Sequence, residues 1–550
     1  MAELVLGPVL RYVSQTEATV WVETGGPCTV EMLGHEARTF AVERHHYGLV
    51  RIEGLRAGSA TPYEVRLDGE HAWPPPGDPF PPCAIRTLPA DGPVRLAFGS
   101  CRVAVPQEPP YSLAHDEDPN GFEADALYAL ARRMLREPTD RWPHALLWLG
   151  DQVYVDEGAP ATRRRIATRR DVSRPPGTEV ADFEEYTWLY HEAWSEPTIR
   201  WFLSTVSGSM IWDDHDVHDD WNTSLEWTRR MRAQSWWDRR LVGAIMSYWI
   251  YQHIGNLAPP ELDSDECYRH VAGAEDATEA LSDFALRAER EVEGTRWSYH
   301  RDLGGARLVV MDSRAGRVLK PDRRTMFDGA EWDWIREQAS GDFDHLLLGT
   351  SLPWLLLPSM HHLEAWDEAV AEGAWGRRAA RLGERLREAF DLEHWAAFGK
   401  SFAEVTDLVA EVAAGRRGGS PASVVALSGD VHHAYLAEVG FRRDGRPRVP
   451  VWQAVCSPVR NPLTHHERRA IRVAATGPAR AIARGLARAA GVADPAIRWR
   501  LCDGGGPWFD NELATLTIDG RRLDVTFERA LPGEDGQEPI LETVYERQLA

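Results

Sequence analysis

From residue 93 onward the chain repeats one arrangement, a short and largely apolar run followed by a polar or helical stretch. Such runs occupy 94–98, 145–149, 209–212, 306–311, 345–348, 424–427 and 451–455. Each is short for a helix and lacks polar alternation, which is the pattern of strands buried on both faces. Segments between them, among them 123–136, 228–251, 330–338 and 376–390, carry apolar residues at helical spacing with charge on the other side. A chain patterned this way is predicted to be α/β, with helices covering sheets.

The first 90 residues break that pattern. Ala18-Thr19-Val20-Trp21-Val22-Glu23 and short runs at 29–32, 49–52 and 63–67 predict a small all-β sandwich of the Ig or fibronectin kind. The proline-rich 71–83 segment reads as a stiff linker. Near the end, runs at 513–518 and 523–527 around Asp519-Gly520 predict a hairpin. The expected division is therefore 1–90, 91–465 and 466–550, the last part completing the second domain. Segment 155–200 is Arg-rich and reads as an excursion over a site. Region 465–492 is basic and Ala-rich, and reads first as a solvated helix. The alternatives are a cover for the site or a face for an acidic partner.

Composition narrows the function classes. A net charge of -22 over 550 residues repels phosphate backbones and disfavours general nucleic-acid binding. Hydrophobic residues at 43% and charged residues at 27% suit a globular enzyme. No stretch is apolar enough for a membrane span, and the first residues carry no basic leader, so the expected location is cytoplasmic. The cysteines are scattered and form no CxxC.

The residues just past the apolar runs are more informative. Phe98 leads into Gly99-Ser100-Cys101-Arg102, and Leu149 into Gly150-Asp151-Gln152-Val153-Tyr154. Trp212 leads into Asp213-Asp214-His215-Asp216, and Leu427 into Ser428-Gly429-Asp430-Val431-His432-His433. Ligands of open α/β sheets sit beyond the carboxyl ends of strands, so these clusters are placed to converge. Cys, Asp, Tyr and His are metal-ligand types. Phosphoester hydrolysis uses such a set: two cations sharing a carboxylate, a His to protonate the leaving alkoxide, and an Arg to grip phosphate. Taken singly, each cluster also has a bland reading as a turn, a helix cap or core.

Together and in this order, the four strings resemble the PhoD-like alkaline phosphatases of the calcineurin-like metallophosphoesterase superfamily. The resemblance covers about 93–460. It implies a β-sandwich core flanked by helices, and a metal-dependent phosphoester hydrolase acting on phosphomonoesters. The alternatives are a phosphodiesterase on lipid or nucleotide diesters and a catalytically inactive binding protein. By carry-over Cys101, Tyr154 and His432 would bind one metal, Asp151 would bridge, and Asp214 and Asp430 would favour the second. Thiolate and phenolate suggest Fe3+, with Ca2+ as the oxygen-bound neighbour and Mn2+, Mg2+ or Zn2+ as substitutes. His215 is expected as general acid or phosphate contact, and Arg102 and His433 as substrate contacts. Arg314, after another run, is a further candidate for phosphate. Where many superfamily members carry a His, this chain reads Gly349-Thr350-Ser351-Leu352-Pro353-Trp354. That departure leaves water, or an Asn such as Asn222, to complete the second metal.

Overall fold

The structure is a computed structural model that describes residues 2–156, 158–320, 323–442, 449–533 and 537–550. All of the predicted apolar runs are strands. They fall into two sheets: Val94–Gly99, Ala145–Leu149 and Ser207–Ile211 belong to a six-stranded sheet. Ala306–Met311, His345–Thr350, Ser423–Ser428 and Val451–Val455 belong to a seven-stranded one. Within each of these groups neighbouring strands pair in parallel. Their carboxyl ends therefore share an edge.

The two sheets face each other across one apolar core that includes Phe98, Leu147, Leu149, Val310, Leu347 and Leu427. Gly349 of one sheet lies so close to the other that an added Cβ would meet the methyls of Leu147 and Leu149 at 3.5 Å. Burying each such Leu contributes roughly 1.5–3 kcal/mol, so the core fixes how the strand ends are set against each other. On the outer face of the seven-stranded sheet, Leu346, Leu348, Val424 and Ala426 pack against Val405, Leu408 and Val412 of the Gly399–Ala413 helix and Ile335 of Gly329–Gln338.

The C-terminal part contributes more than the predicted hairpin. Glu512–Asp519 and Arg522–Leu531 do pair antiparallel, and Glu512–Asp519 extends the six-stranded sheet from Val94–Gly99. A third strand, Ile540–Gln548, adds to the sheet edge. Its run of exposed, charged residues hid it from an apolar pattern. Ile497–Leu501 joins the edge of the other sheet instead.

The N-terminal residues form two four-stranded antiparallel sheets around Val20, Val22, Val30, Val50, Val65 and Ile85. The 71–83 segment is not a free linker. Trp201 of the Pro197–Thr205 helix stacks on Phe80 at 5.7 Å and donates its indole N–H to the Pro81 carbonyl at 2.9 Å. Ala84–Arg86 then returns to pair with Ala60–Pro62. The 155–200 expectation also needs correcting. Most of the Phe183–Trp194 helix is buried, and it is bound to the N-terminal module through Glu184 and His191. Its aromatic residues make it core; the arginines before it are the part that looked like an excursion. Among the described residues, no helix is long and apolar enough to cross a membrane.

Candidate active site

The four predicted clusters meet at the shared strand edge. Cys101, Asp151 and His432 bring ligand atoms within 4.8 Å of one another, as do Asp151, Asp213 and Asp214, and Asp214, His215 and Asp219. Asp151 is common to the first two groups and Asp214 to the last two, so the three form a chain across the pocket. Cys101 Sγ lies 3.3 Å from Asp151 Oδ2, and the Tyr154 hydroxyl 3.4 Å from the same oxygen.

Tight turns hold these residues there. Cys101, Asp151, Asp430 and His432 have φ of 59°, 50°, 65° and 49°, the left-handed region that side chains rarely adopt. Each such residue costs on the order of 1 kcal/mol or more, and such strain gathers where position matters for function. Gly429 is required by close approach, since a Cβ there would sit 2.0 Å from Ser100 Oγ. That hydroxyl accepts the Asp430 amide at 2.9 Å and so ties two strand ends together.

Charge in the pocket is unbalanced. Burial pushes the Asp151 carboxyl well up; His215 offsets this, and Asp213, Asp214 and Asp216 add to it. Burial, then Asp151 and Asp430, push the Cys101 thiol up in the same way. A bound cation inverts this logic and favours the anionic forms. Burial brings His432 and His433 down to about 4, leaving neutral imidazoles, the form that ligates metals. Asp151 Oδ1, Asp213 Oδ2 and His433 Nε2 are buried with no hydrogen-bond partner among the described residues. Soft and hard donors in one strained cluster, with unpartnered atoms, fit a metal centre.

His215 is set differently from the ligand candidates. Asp156 accepts from its Nδ1 at 3.0 Å, leaving Nε2 as the free ring nitrogen, 4.0 Å from Asp219 Oδ1. Burial alone would discharge the ring, but Asp156, then Asp214 and Asp151, raise its pKa well above the ordinary histidine value.

Two predicted substrate contacts, Arg102 and Arg314, and Asn222, offered to the second metal or to substrate, are engaged within the protein. Arg102 turns away from the pocket and pairs with the buried Asp125 at 2.8 Å, with a second bond to the Ala193 carbonyl at 3.2 Å. The left-handed turn at Cys101 directs it there. Arg314 reaches the site but is consumed by carboxylates. It bonds Asp213 and Glu393 and lies 3.2 Å from Asp214 and 3.8 Å from Asp430. Buried almost completely at 1% exposure, it organises the acids and has no free edge for phosphate. Asn222 donates to the Arg314 carbonyl at 3.2 Å. His433 does line the pocket, its Nδ1 held by the Val431 carbonyl at 2.6 Å.

The structure adds residues that sequence reasoning missed. His394 places Nε2 2.9 Å from Asp430 Oδ2, while Glu364 holds its Nδ1 at 2.6 Å. It comes from the long 357–419 segment and stands beside the second half of the cluster, where the Gly349-Thr350-Ser351 departure left no histidine. Its only sequence signal is a His in a loop between helices. Asp156 had a stronger one, lying two residues past Tyr154. The pocket around these groups has a volume of about 710 Å³.

Two mixed sheets whose parallel strands end at one acidic, His- and Cys-bearing edge give this pocket the residue types of a candidate metal centre. Among solved structures the fold matches one described as "Structure of PhoD", with a TM-score of 0.58 and 13% identity over 100% of this chain and 92% of that one. The profile of the PhoD-like phosphatase family matches residues 120–492, and the chain belongs to that family. Residues 1–85 match a domain of unknown function, DUF7800. No curated protein matches the sequence.

Proposed function

We propose that the chain is a binuclear metallophosphatase that hydrolyses phosphomonoesters at this pocket. One observation carries the reading: the Cys101–Asp151–His432 group and the Asp214–His215–Asp219 group are joined through Asp151, Asp213 and Asp214. In it Cys101, Tyr154 and His432 would hold one metal, Asp214 and Asp430 the other, and Asp151 would serve both, with His394 beside them. The donor set favours Fe3+ next to an oxygen-bound ion such as Ca2+. The double sheet then corresponds to a metallophosphoesterase core, divided as 1–90, 91–465 and 466–550.

When bound, such cations stabilise charge on the phosphoryl group and acidify water. The protein's own residues do the rest. His215, kept protonated by Asp156, has Nε2 free to give its proton to the departing alkoxide. Arg314 keeps Asp213, Asp214 and Asp430 in register while leaving the pocket face to substrate. His433, neutral and with Nε2 unpartnered, is placed to hydrogen-bond a phosphoryl oxygen.

Elemental analysis of the purified protein, together with turnover of p-nitrophenyl phosphate and bis-p-nitrophenyl phosphate, tests this. Stoichiometric metal and monoester turnover that chelation abolishes are expected. Diester turnover alone would move the assignment to a phosphodiesterase, and the absence of bound metal would remove it.

A further inference from the structure

The polar floor with its acids and histidines is one side of the pocket. The other side is apolar, built from Met360, Leu363 and Trp366 of the Pro358–Ala371 helix, Leu386 and Phe390 at the end of Arg377–Ala389, and Ile471 of His465–Ala474. A phosphate and two metal ions have no use for such a wall; a long hydrocarbon has.

The apolar wall continues outward. Leu382, Leu386 and Phe390 recur every fourth residue, so they form one stripe running from the open surface into the pocket. Leu382 is 57% exposed and Phe390 66%. Val473 and Ile482 are exposed on two later helices, His465–Ala474 and Gly477–Ala489, and Trp375 just before Arg377–Ala389. Among the described residues, the only other large apolar side chains so exposed are Leu33 and Ile540, far along the chain. These helices also pack as a unit. The Trp375 indole donates to the Ala489 carbonyl at 3.3 Å, and Ser359 of Pro358–Ala371 bonds the carbonyl of Ala474.

The charge of this rim opposes that of the molecule. The three helices Arg377–Ala389, His465–Ala474 and Gly477–Ala489 carry eleven arginines against three glutamates, in a chain of net charge -22. Arg377, Arg378, Arg381, Arg385, Arg469 and Arg472 are exposed. Exposed apolar side chains interleaved with arginine on amphipathic helices are the signature of binding in the plane of an anionic lipid interface. The acidic remainder of the surface would be repelled from that interface, which orients the pocket mouth toward it.

We propose that the rim of these helices docks on an anionic lipid surface, and that the pocket takes from it a phosphoester whose alcohol part is a long apolar chain, laid along Leu382, Leu386 and Phe390. This rests on the phosphoesterase reading of the floor, but docking can be measured without turnover. Co-sedimentation with vesicles of equal parts phosphatidylcholine and phosphatidylglycerol, and with phosphatidylcholine alone, is the direct test. Binding to the mixed vesicles, weakened in half-molar salt and absent from the zwitterionic ones, is expected. The double substitution Val473→Ser, Ile482→Ser touches only exposed positions outside the path laid for the chain. It should weaken vesicle binding about tenfold or more and leave p-nitrophenyl phosphate turnover unchanged. Phe390→Ser should raise KM for dodecyl phosphate and leave that for ethyl phosphate where it was. Failure to sediment with the mixed vesicles would overturn the proposal. So would sedimentation unaltered by the double substitution, or a dimer in solution that the same substitutions dissociate. If no phosphoester is hydrolysed while the vesicles are bound, the reading of the floor fails and the docking stands.

Discussion

The protein buries two clusters of histidines and carboxylates, and they are built to opposite ends. At the junction between the N-terminal sandwich and the Phe183–Trp194 helix, the carboxylates and the histidines that face them are answered within the protein. Glu23 accepts from His45 at 2.8 Å, His191 at 2.8 Å and Tyr251 at 3.0 Å, and the other His45 nitrogen meets Glu184 at 2.9 Å. At the strand edge, Asp151 Oδ1 and His433 Nε2 are left without partners, and four residues are held in left-handed turns. Satisfied charge fastens two parts of a chain; unsatisfied charge on a strained frame is held for something not yet bound. Burial of ionisable groups does not by itself tell these uses apart. The accounting of their hydrogen bonds does.

That contrast can be broken most severely at Asp151. Asp151→Ala is expected to cost about a thousandfold or more in turnover and to lower the bound metal in the same preparation, because in the proposed centre this carboxylate would serve both ions. Retained metal with lost turnover would mean that Asp151 bridges nothing. His215→Asn should lower kcat by about a hundredfold to ten-thousandfold with metal content unchanged, the split expected of a proton donor. A parallel loss of metal would place it among the ligands.

Arg102 tests the boundary between the two kinds of cluster, since it sits next to a candidate ligand yet pairs like the junction. Arg102→Ala removes the nearest cation from the buried Asp125, which keeps Gln107 at 3.0 Å and Arg460 at 4.0 Å, and should cost about 1.5–3 kcal/mol of stability in denaturant unfolding. KM for p-nitrophenyl phosphate should stay within a small factor; a large rise would return Arg102 to substrate binding. The smallest effect is expected from pH at the junction. Burial opposes the charged forms, yet the His45–Glu23 and His45–Glu184 bonds raise His45 above 6.5, and His191 and His45 lower Glu23 below 4.5. The His45 contribution is therefore complete below about pH 6.5 and is lost as pH rises through its folded pKa. That of Glu23 is present above about pH 4.5 and is lost on acidification through its own. Unfolding midpoints of wild type and His45→Gln should thus converge as pH rises above neutrality. A gap that stays constant would show that His45 acts by packing alone.

Much of the site was legible because its residues lie immediately past strands, and strands here are marked by uninterrupted apolar runs. Cys101, Asp151, Asp214 and His432 could be placed on one edge from the sequence, since parallel strands must end together. Legibility stopped where direction mattered. Arg102 and Arg314 both come just after strands, but one backbone turn sends the first to Asp125, and a surplus of acids consumes the second. His394 was hidden because no strand precedes it directly. Only the packing of 357–419 over the sheet edge brings it to Asp430. The 465–492 region read first as a solvated helix, with a cover for the site as an alternative; His465–Ala474 buries no residue, yet the fold sets its Ile471 against the pocket.

By itself the sequence determined the alternation of buried runs and helices, and with it a layered α/β body, an all-β leader and the residue types gathered at one edge. These arise from local pattern, because burial of apolar side chains is a property each segment carries with it. Tertiary structure alone decided which charges are answered and which are left open. Hydrogen-bond satisfaction depends on partners tens or hundreds of residues away, such as Arg314 to Asp213 or His394 to Asp430. No periodicity in the chain encodes those distances.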